Sequence, residues 1–209
     1  MKRILLLAAL AIMLLALPSF ADNITFTLDD STASGGSCTN CGPFGTVTVT
    51  QETANSVLVT ETLSSGVGFV NTGAGDSLDF SITGDPTITI SSLTSGFAKT
   101  SPANKGDTGS FDYAVDCTSD CGSGGSNPYY GTLSFIVSTS GALTPAAFEV
   151  LNSKGFYVAS DAMLTSGKTG NTESNEFSTV APEPASLVLF GSGLIGVVGV
   201  VRRKLFHKV

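Results

Sequence analysis

Apolar and hydroxyl side chains alternate residue by residue along three stretches of this chain, Ile24-Thr25-Phe26-Thr27-Leu28, Thr46-Val47-Thr48-Val49-Thr50 and Val57-Leu58-Val59-Thr60-Glu61-Thr62-Leu63. A period of two places successive side chains on opposite faces of an extended strand, so each stretch specifies a strand that buries one side and shows threonine to water. Weaker versions of the pattern mark strands at 67–70, 78–82, 87–93, 110–115, 130–138 and 156–161. Turn clusters such as Ser64-Ser65-Gly66, Asn71-Thr72-Gly73, Thr83-Gly84-Asp85-Pro86 and Thr139-Ser140-Gly141 separate them, at the roughly 8 to 12 residue spacing of sandwiches. Strands that each bury one face require a second sheet to cover it. The expectation is an all-β, two-sheet antiparallel β-sandwich, jelly-roll-like or Ig-like, with the topology left open. Only Thr144-Pro145-Ala146-Ala147-Phe148-Glu149-Val150-Leu151 carries helical signals: Thr144 to cap, Pro145 for the first position and Gly155 to stop it. One short helix is predicted there.

The alternating region lies between two apolar ends. Lys2 and Arg3 precede an uncharged apolar run over 4–17, then Pro18 and Ser19-Phe20-Ala21. This is the layout of a secretory signal peptide, read as an N-terminal signal helix cut between Ala21 and Asp22 by signal peptidase. At the other end 187–201 holds no charge, and Arg202, Arg203 and Lys204 follow directly. As a helix this run, with Ala185 and Ser186 counted in, reaches roughly 25 Å, a minimal single transmembrane helix. Basic residues favour the cytoplasmic side, so the middle of the chain is expected outside, attached to the inner membrane by the C-terminal helix.

Two prolines in Ala181-Pro182-Glu183-Pro184 keep the chain extended and accessible just before that helix. The order Pro182-Glu183-Pro184, a short Gly-interrupted apolar helix, Arg202-Arg203-Lys204 and chain end resembles the PEP-CTERM sorting signal of Gram-negative bacteria. The resemblance implies recognition by an exosortase, a multi-pass membrane cysteine peptidase, and a cell-surface or extracellular-matrix destination among exopolysaccharide. Two internal segments, Cys41-Gly42-Pro43-Phe44-Gly45-Thr46-Val47-Thr48 and Gly167-Lys168-Thr169-Gly170-Asn171-Thr172, are more loosely similar to some small PEP-CTERM ectodomains. Inside the apolar run, Gly191-Ser192-Gly193-Leu194-Ile195-Gly196 spells G-x-G-x-x-G, but no strand precedes it and no βαβ unit surrounds it, so it is not a dinucleotide site. The organisation expected is a signal peptide at 1–21, a sandwich ectodomain at 22–164, a flexible polar tether at 165–181 and the sorting and anchor segment at 182–209. The tether is read from Gly167, Gly170, Asn171 and Asn175 among few large apolar residues, with an edge strand at 176–180 as the alternative.

Charge and inventory restrict the chemistry further. From Asp22 to Ala181 four lysines face sixteen acidic residues, a net −12, which excludes nucleic acid as a partner. The only histidine is His207 in the tail, so no Ser-His-Asp or Cys-His arrangement forms outside. Cys38-x2-Cys41 and Cys117-x3-Cys121 sit in loops; in an exported protein they read as two disulfides, pairing locally or across, with a four-thiolate zinc site as the alternative. Asp76 with Asp79 and Asp112 with Asp116 are spaced to meet, but read more simply as solvated or loop-capping carboxylates. Gly73-Ala74-Gly75-Asp76 is one imperfect copy of a calcium-binding turn. No cofactor, metal or catalytic residue is assigned. The expected function is that of a non-catalytic exported surface or matrix protein. The alternative is a carbohydrate-binding module for exopolysaccharide, with Tyr129-Tyr130 as its aromatic pair. A two-carboxylate hydrolase is a third and weaker reading.

Overall fold

Thirteen strands and one 3-10 turn make up the described residues of a computed structural model, 23–33, 37–101, 108–122 and 125–180. The strands are β1 Asn23–Leu28, β2 Asp30–Ser31, β3 Gly45–Thr53, β4 Ser56–Leu63, β5 Gly68–Phe69, β6 Leu78–Phe80, β7 Thr89–Ser91, β8 Phe97–Thr100, β9 Tyr113–Cys117, β10 Leu133–Ser138, β11 Val158–Met163, β12 Thr169–Ser174 and β13 Phe177–Val180. All pairings between them are antiparallel. The first sheet runs β13-β1-β3-β4-β10-β7 and the second β2-β12-β11-β6-β9-β8, with β5 added on β11.

The alternation does what its period requires. Ile24, Phe26 and Leu28 of β1, Val47 and Val49 of β3, Val57 and Val59 of β4, and Leu133, Phe135 and Val137 of β10 turn to the core, while the intervening threonines stay half-buried. The second sheet supplies Leu78, Phe80, Tyr113, Val115 and Val158 to the same cluster. Phe80 bridges the layers, with its ring 6.0 Å from Phe135 of the first sheet. Area removed from water on both inner faces is the main favourable contribution to folding.

Three expectations are corrected. The stretch taken for a flexible tether, 165–181, forms β12 and β13 over ten of its sixteen described residues. β12 pairs with β11 and β2, and Asn171, Thr172, Glu173 and Ser174 are buried; β13 pairs with β1, as the edge-strand alternative proposed. Backbone pairing, not apolar content, holds this polar segment in place. The helix shrinks to one 3-10 turn, Pro145–Phe148. Pro145 sits at its start, Thr144 makes no side-chain cap, and Gly155 instead closes a separate turn by donating its N–H to Asn152 O at 3.1 Å. β2 and β8 are additional strands. Among the described residues no helix is long and apolar enough to cross a membrane; the expected signal helix, its Ala21/Asp22 cleavage point and the C-terminal helix lie outside them.

Candidate functional site

The second sheet has an unusual outer face. Register fixes which side chains share it: Asp79 lies opposite Ala159 and Ala114, Ala159 opposite Glu173, Glu173 opposite Asp30, Asp161 opposite Asn171, and Asp116 opposite Ala98. Directly opposed residues point to one side of a sheet, and Phe80, Val158 and Tyr113, one residue along, face the core. Asp30, Asp79, Asp116, Asp161, Asn171 and Glu173 therefore form one acidic layer turned away from the apolar interior, and all but the half-buried Asp116 are buried.

Residues 71–77 are fastened to this layer. Thr72 donates its N–H (3.0 Å) and hydroxyl (2.6 Å) to Asp161 Oδ2. Asn71 Nδ2 donates to Asp116 Oδ2 at 3.3 Å and to Cys117 O at 2.9 Å. Ser77 donates to Asp116 Oδ1 at 3.3 Å, and Asn171 Nδ2 to Ala74 O at 3.1 Å. Gly73 turns the loop with φ +76°, and a Cβ on Gly75 would run into Asn171 Oδ1. A larger residue at 75 would lift the loop from the sheet.

The carboxylates carry the electrostatic consequence of burial. Desolvation pushes the Asp161 carboxyl from its ordinary 3.8 up to about 6; the Thr72 hydrogen bonds hold it down and the charge of Asp116 raises it. Burial likewise raises Asp116, partly offset by the Cys117 N–H. Glu61 of β4 faces the opposite way, into the core beside Val47 and Leu133 of the neighbouring strands. Neither of its oxygens makes a hydrogen bond of ordinary geometry, and burial drives its carboxyl well above the usual range, eased by the Ser160 hydroxyl and worsened by Asp79. A buried acid of this kind holds its proton rather than a charge.

The expected pairings divide. Asp76 and Asp79 do meet, the Asp76 N–H donating to Asp79 Oδ2 at 3.4 Å. Asp112 is exposed and bonds through its N–H to Ser81, whereas Asp116 bonds within the layer. Gly73-Ala74-Gly75-Asp76 is the loop covering the layer, and among the described residues no three acidic, histidine or cysteine side chains are arranged to hold a metal ion. Tyr129 packs on Phe69 and Phe97, leaving Tyr130 alone exposed at 61%; the two rings form no shared platform. A shallow recess of about 420 Å³ lies elsewhere, between Ile82, Pro86, Leu143 and Ala147, with no ionisable side chain in its lining. Asp161 and Glu61 carry no sequence motif, while Thr72 is marked only as part of a turn cluster and Asn171 only within the polar 165–181 stretch. Glu61 had a visible signal, since the period of two in Val57, Val59 and Glu61 puts a carboxyl on the buried face.

All four cysteines are consumed in local disulfides, Cys38–Cys41 and Cys117–Cys121, each spanning 5.9 Å between Cα atoms. This overturns the cross-paired and zinc alternatives. The first bridge shapes a turn whose Asn40 N–H donates to Asp30 Oδ1 at 2.8 Å; the second closes the turn after β9 beside Asp116. Closing so short a loop restricts the unfolded chain by about 2 kcal/mol. Cys117→Ser with Cys121→Ser is thus expected to lower stability by about that amount, measured by urea unfolding, with an unchanged midpoint as the contrary result.

The last strand ends at Val180, and there a second feature begins: residues 180–204 match the family described as the PEP-CTERM protein-sorting motif. The chain carries a PEP-CTERM sorting signal. The match covers Pro182, Glu183, Pro184, Arg202, Arg203 and Lys204, all outside the described residues. A PEP-CTERM signal implies exosortase-dependent sorting of an exported, membrane-anchored precursor to the cell surface. No curated relative and no solved structure matches the chain.

Proposed function

We propose that this PEP-CTERM chain is a non-catalytic surface or extracellular-matrix protein of a Gram-negative bacterium, whose sandwich is the cargo and whose tail is the address. The observation that carries this reading is the direct succession of a stable β domain and a sorting motif at residue 180. Two further features support it. Asp79, Asp116, Asp161 and Asn171 of the acidic layer are engaged with the chain's own 71–77 loop, and Asp30 and Glu173 with Asn40, Asn175 and Thr32; the sole histidine, His207, lies beyond the domain.

Intact-mass analysis of the protein from its native host tests the proposal. The expected product starts near Asp22, ends near Pro184 and fractionates with the cell surface or matrix. A mature form that ends at Val209 and stays in the inner membrane contradicts it. Among the described residues, binding to exopolysaccharide has only Tyr130 as an exposed ring to rest on, and a glycan array with a Tyr130→Ala control decides that reading.

A further inference from the structure

Between β6 and β7 the chain turns through Thr83-Gly84-Asp85-Pro86, and the backbone there is strained at one bond. The Asp85 N–H donates to Ile82 O at 3.0 Å, and Gly84 makes the reversal with φ +80°. Asp85 then also takes a positive φ, +43°. Proline ordinarily holds its predecessor in extended backbone, so a left-handed Asp85 before Pro86 is a conformation that its surroundings must impose. Buried Ile82 and Ile88 pin the segment on either side. Tyr113 of β9 supplies a third hold: its hydroxyl donates to Asp85 Oδ1 at 2.8 Å and bonds to Pro86 O, while its ring packs 5.5 Å from Phe80 in the core. Asp85 itself is exposed.

We propose that Asp85–Pro86 is a self-cleavage site, at which the Asp85 carboxyl cuts its own peptide bond. The Pro86 nitrogen bears no hydrogen, so it cannot close onto the Asp85 side chain as the next residue's N–H does at other Asp-X bonds. The protonated Asp85 carboxyl instead adds through one oxygen to its own main-chain carbonyl carbon, forming a cyclic anhydride. The bond from that carbon to Pro86 N breaks, its electron pair stays on nitrogen, and the carboxyl proton moves there to give a secondary amine. One water then opens the anhydride. The net change is one peptide bond hydrolysed, with a free carboxyl left at Asp85 and a free amine at Pro86. Two observed features favour the step. Breaking the bond relieves the left-handed strain, and one phenol touching the side chain before the bond and the carbonyl after it limits how far the carboxyl can swing.

The cut would leave a folded domain in two pieces. β1 to β6 precede it and β7 to β13 follow it, and β4 with β10, β6 with β9 and β11, and β1 with β13 pair across it. Cys38–Cys41 lies on one side and Cys117–Cys121 on the other, so no disulfide joins the pieces. The piece bearing the sorting motif then holds the other by sheet pairing and packing alone.

The test incubates the full chain, purified from its host, at about pH 4, near the ordinary carboxyl value, and follows intact mass. Fragments ending at Asp85 and starting at Pro86 are expected roughly tenfold faster from the native chain than from the chain in urea at the same pH, the rate equivalent of one strained residue released. A native rate no faster than the unfolded one overturns the proposal, because it is the acid lability of any Asp-Pro bond; so does the absence of cleavage. Asp85→Ala and Pro86→Ala should each leave the chain whole, and a cut at this bond in Asp85→Ala overturns the side-chain route. Tyr113→Phe keeps the ring on Phe80 and is expected to lose most of the native excess, with its rate in urea unchanged. The ionisable groups facing the Asp85 carboxyl are Tyr113 and, beyond it, Asp112. Removing the phenol takes a donor from the charged carboxylate, so the pH–rate profile of Tyr113→Phe should also move to higher pH. A folded Tyr113→Phe chain with the wild-type rate and profile overturns the clamp.

Discussion

Phe80→Ala is expected to lower the stability of the 23–180 domain by about 3–5 kcal/mol, the usual result of emptying a large aromatic site in a close-packed core. Phe80 is the residue through which four elements meet. Its ring lies 5.5 Å from Tyr113 of β9, 6.0 Å from Phe135 across the sandwich and 5.5 Å, stacked, from Phe148 of the 3-10 turn. Alanine removes the transfer free energy of the ring and leaves a void that neighbours from two sheets cannot jointly close. Domains of this kind hold about 5–15 kcal/mol in total, so the variant should sit near the edge of folding. Urea unfolding reads the effect directly, and a loss below about 1 kcal/mol would mean the layers are joined elsewhere.

Stability is expected to fall as the solution is made less acidic. The sign follows from linkage: a carboxyl whose pKa rises on folding binds its proton more tightly in the native chain, so native stability is complete below the unfolded value and declines as pH climbs through the folded one. For Asp161 the window runs from the ordinary 3.8 to about 6, and the decline across it is about 3 kcal/mol. Glu61, raised by burial in the same direction, adds to the fall at higher pH. Unfolding midpoints between pH 4 and 8 should drop accordingly, and Asp161→Asn should flatten the lower part of the profile while Glu61→Gln flattens the upper part. A flat wild-type profile would mean that the acidic layer is solvated and ordinary.

The sandwich was legible where one face of a strand is apolar. β1, β3, β4 and β10 show their period of two because threonine and valine divide cleanly between water and core. β12 was illegible for the opposite reason. Thr169–Ser174 has no large apolar residue, yet Gly170 through Ser174 are all buried, because one side of the second sheet covers an acidic layer and the strand's own hydroxyls fill the other. A hydrophobic pattern cannot report burial that hydrogen bonding sustains. β8 offered only Phe97 in four residues, and β2 is two residues long. The site was hidden by distance: Thr72 and Asp161, or Asn71 and Asp116, become neighbours only once β6, β9 and β11 lie side by side. The local disulfides were undetermined because four cysteines permit three pairings and spacing alone does not rank them. The sorting signal was the clearest feature, being written in contiguous residues that need no fold to be recognised.

The pairing of Asn23 with Val180 brings the two ends of the domain within one interstrand spacing of each other. Topologically the domain is nearly a closed ring: entry and exit share a doorway, so it can be grafted into a surface loop of another protein without stretching its host, or reopened at a distant turn after its ends are fused.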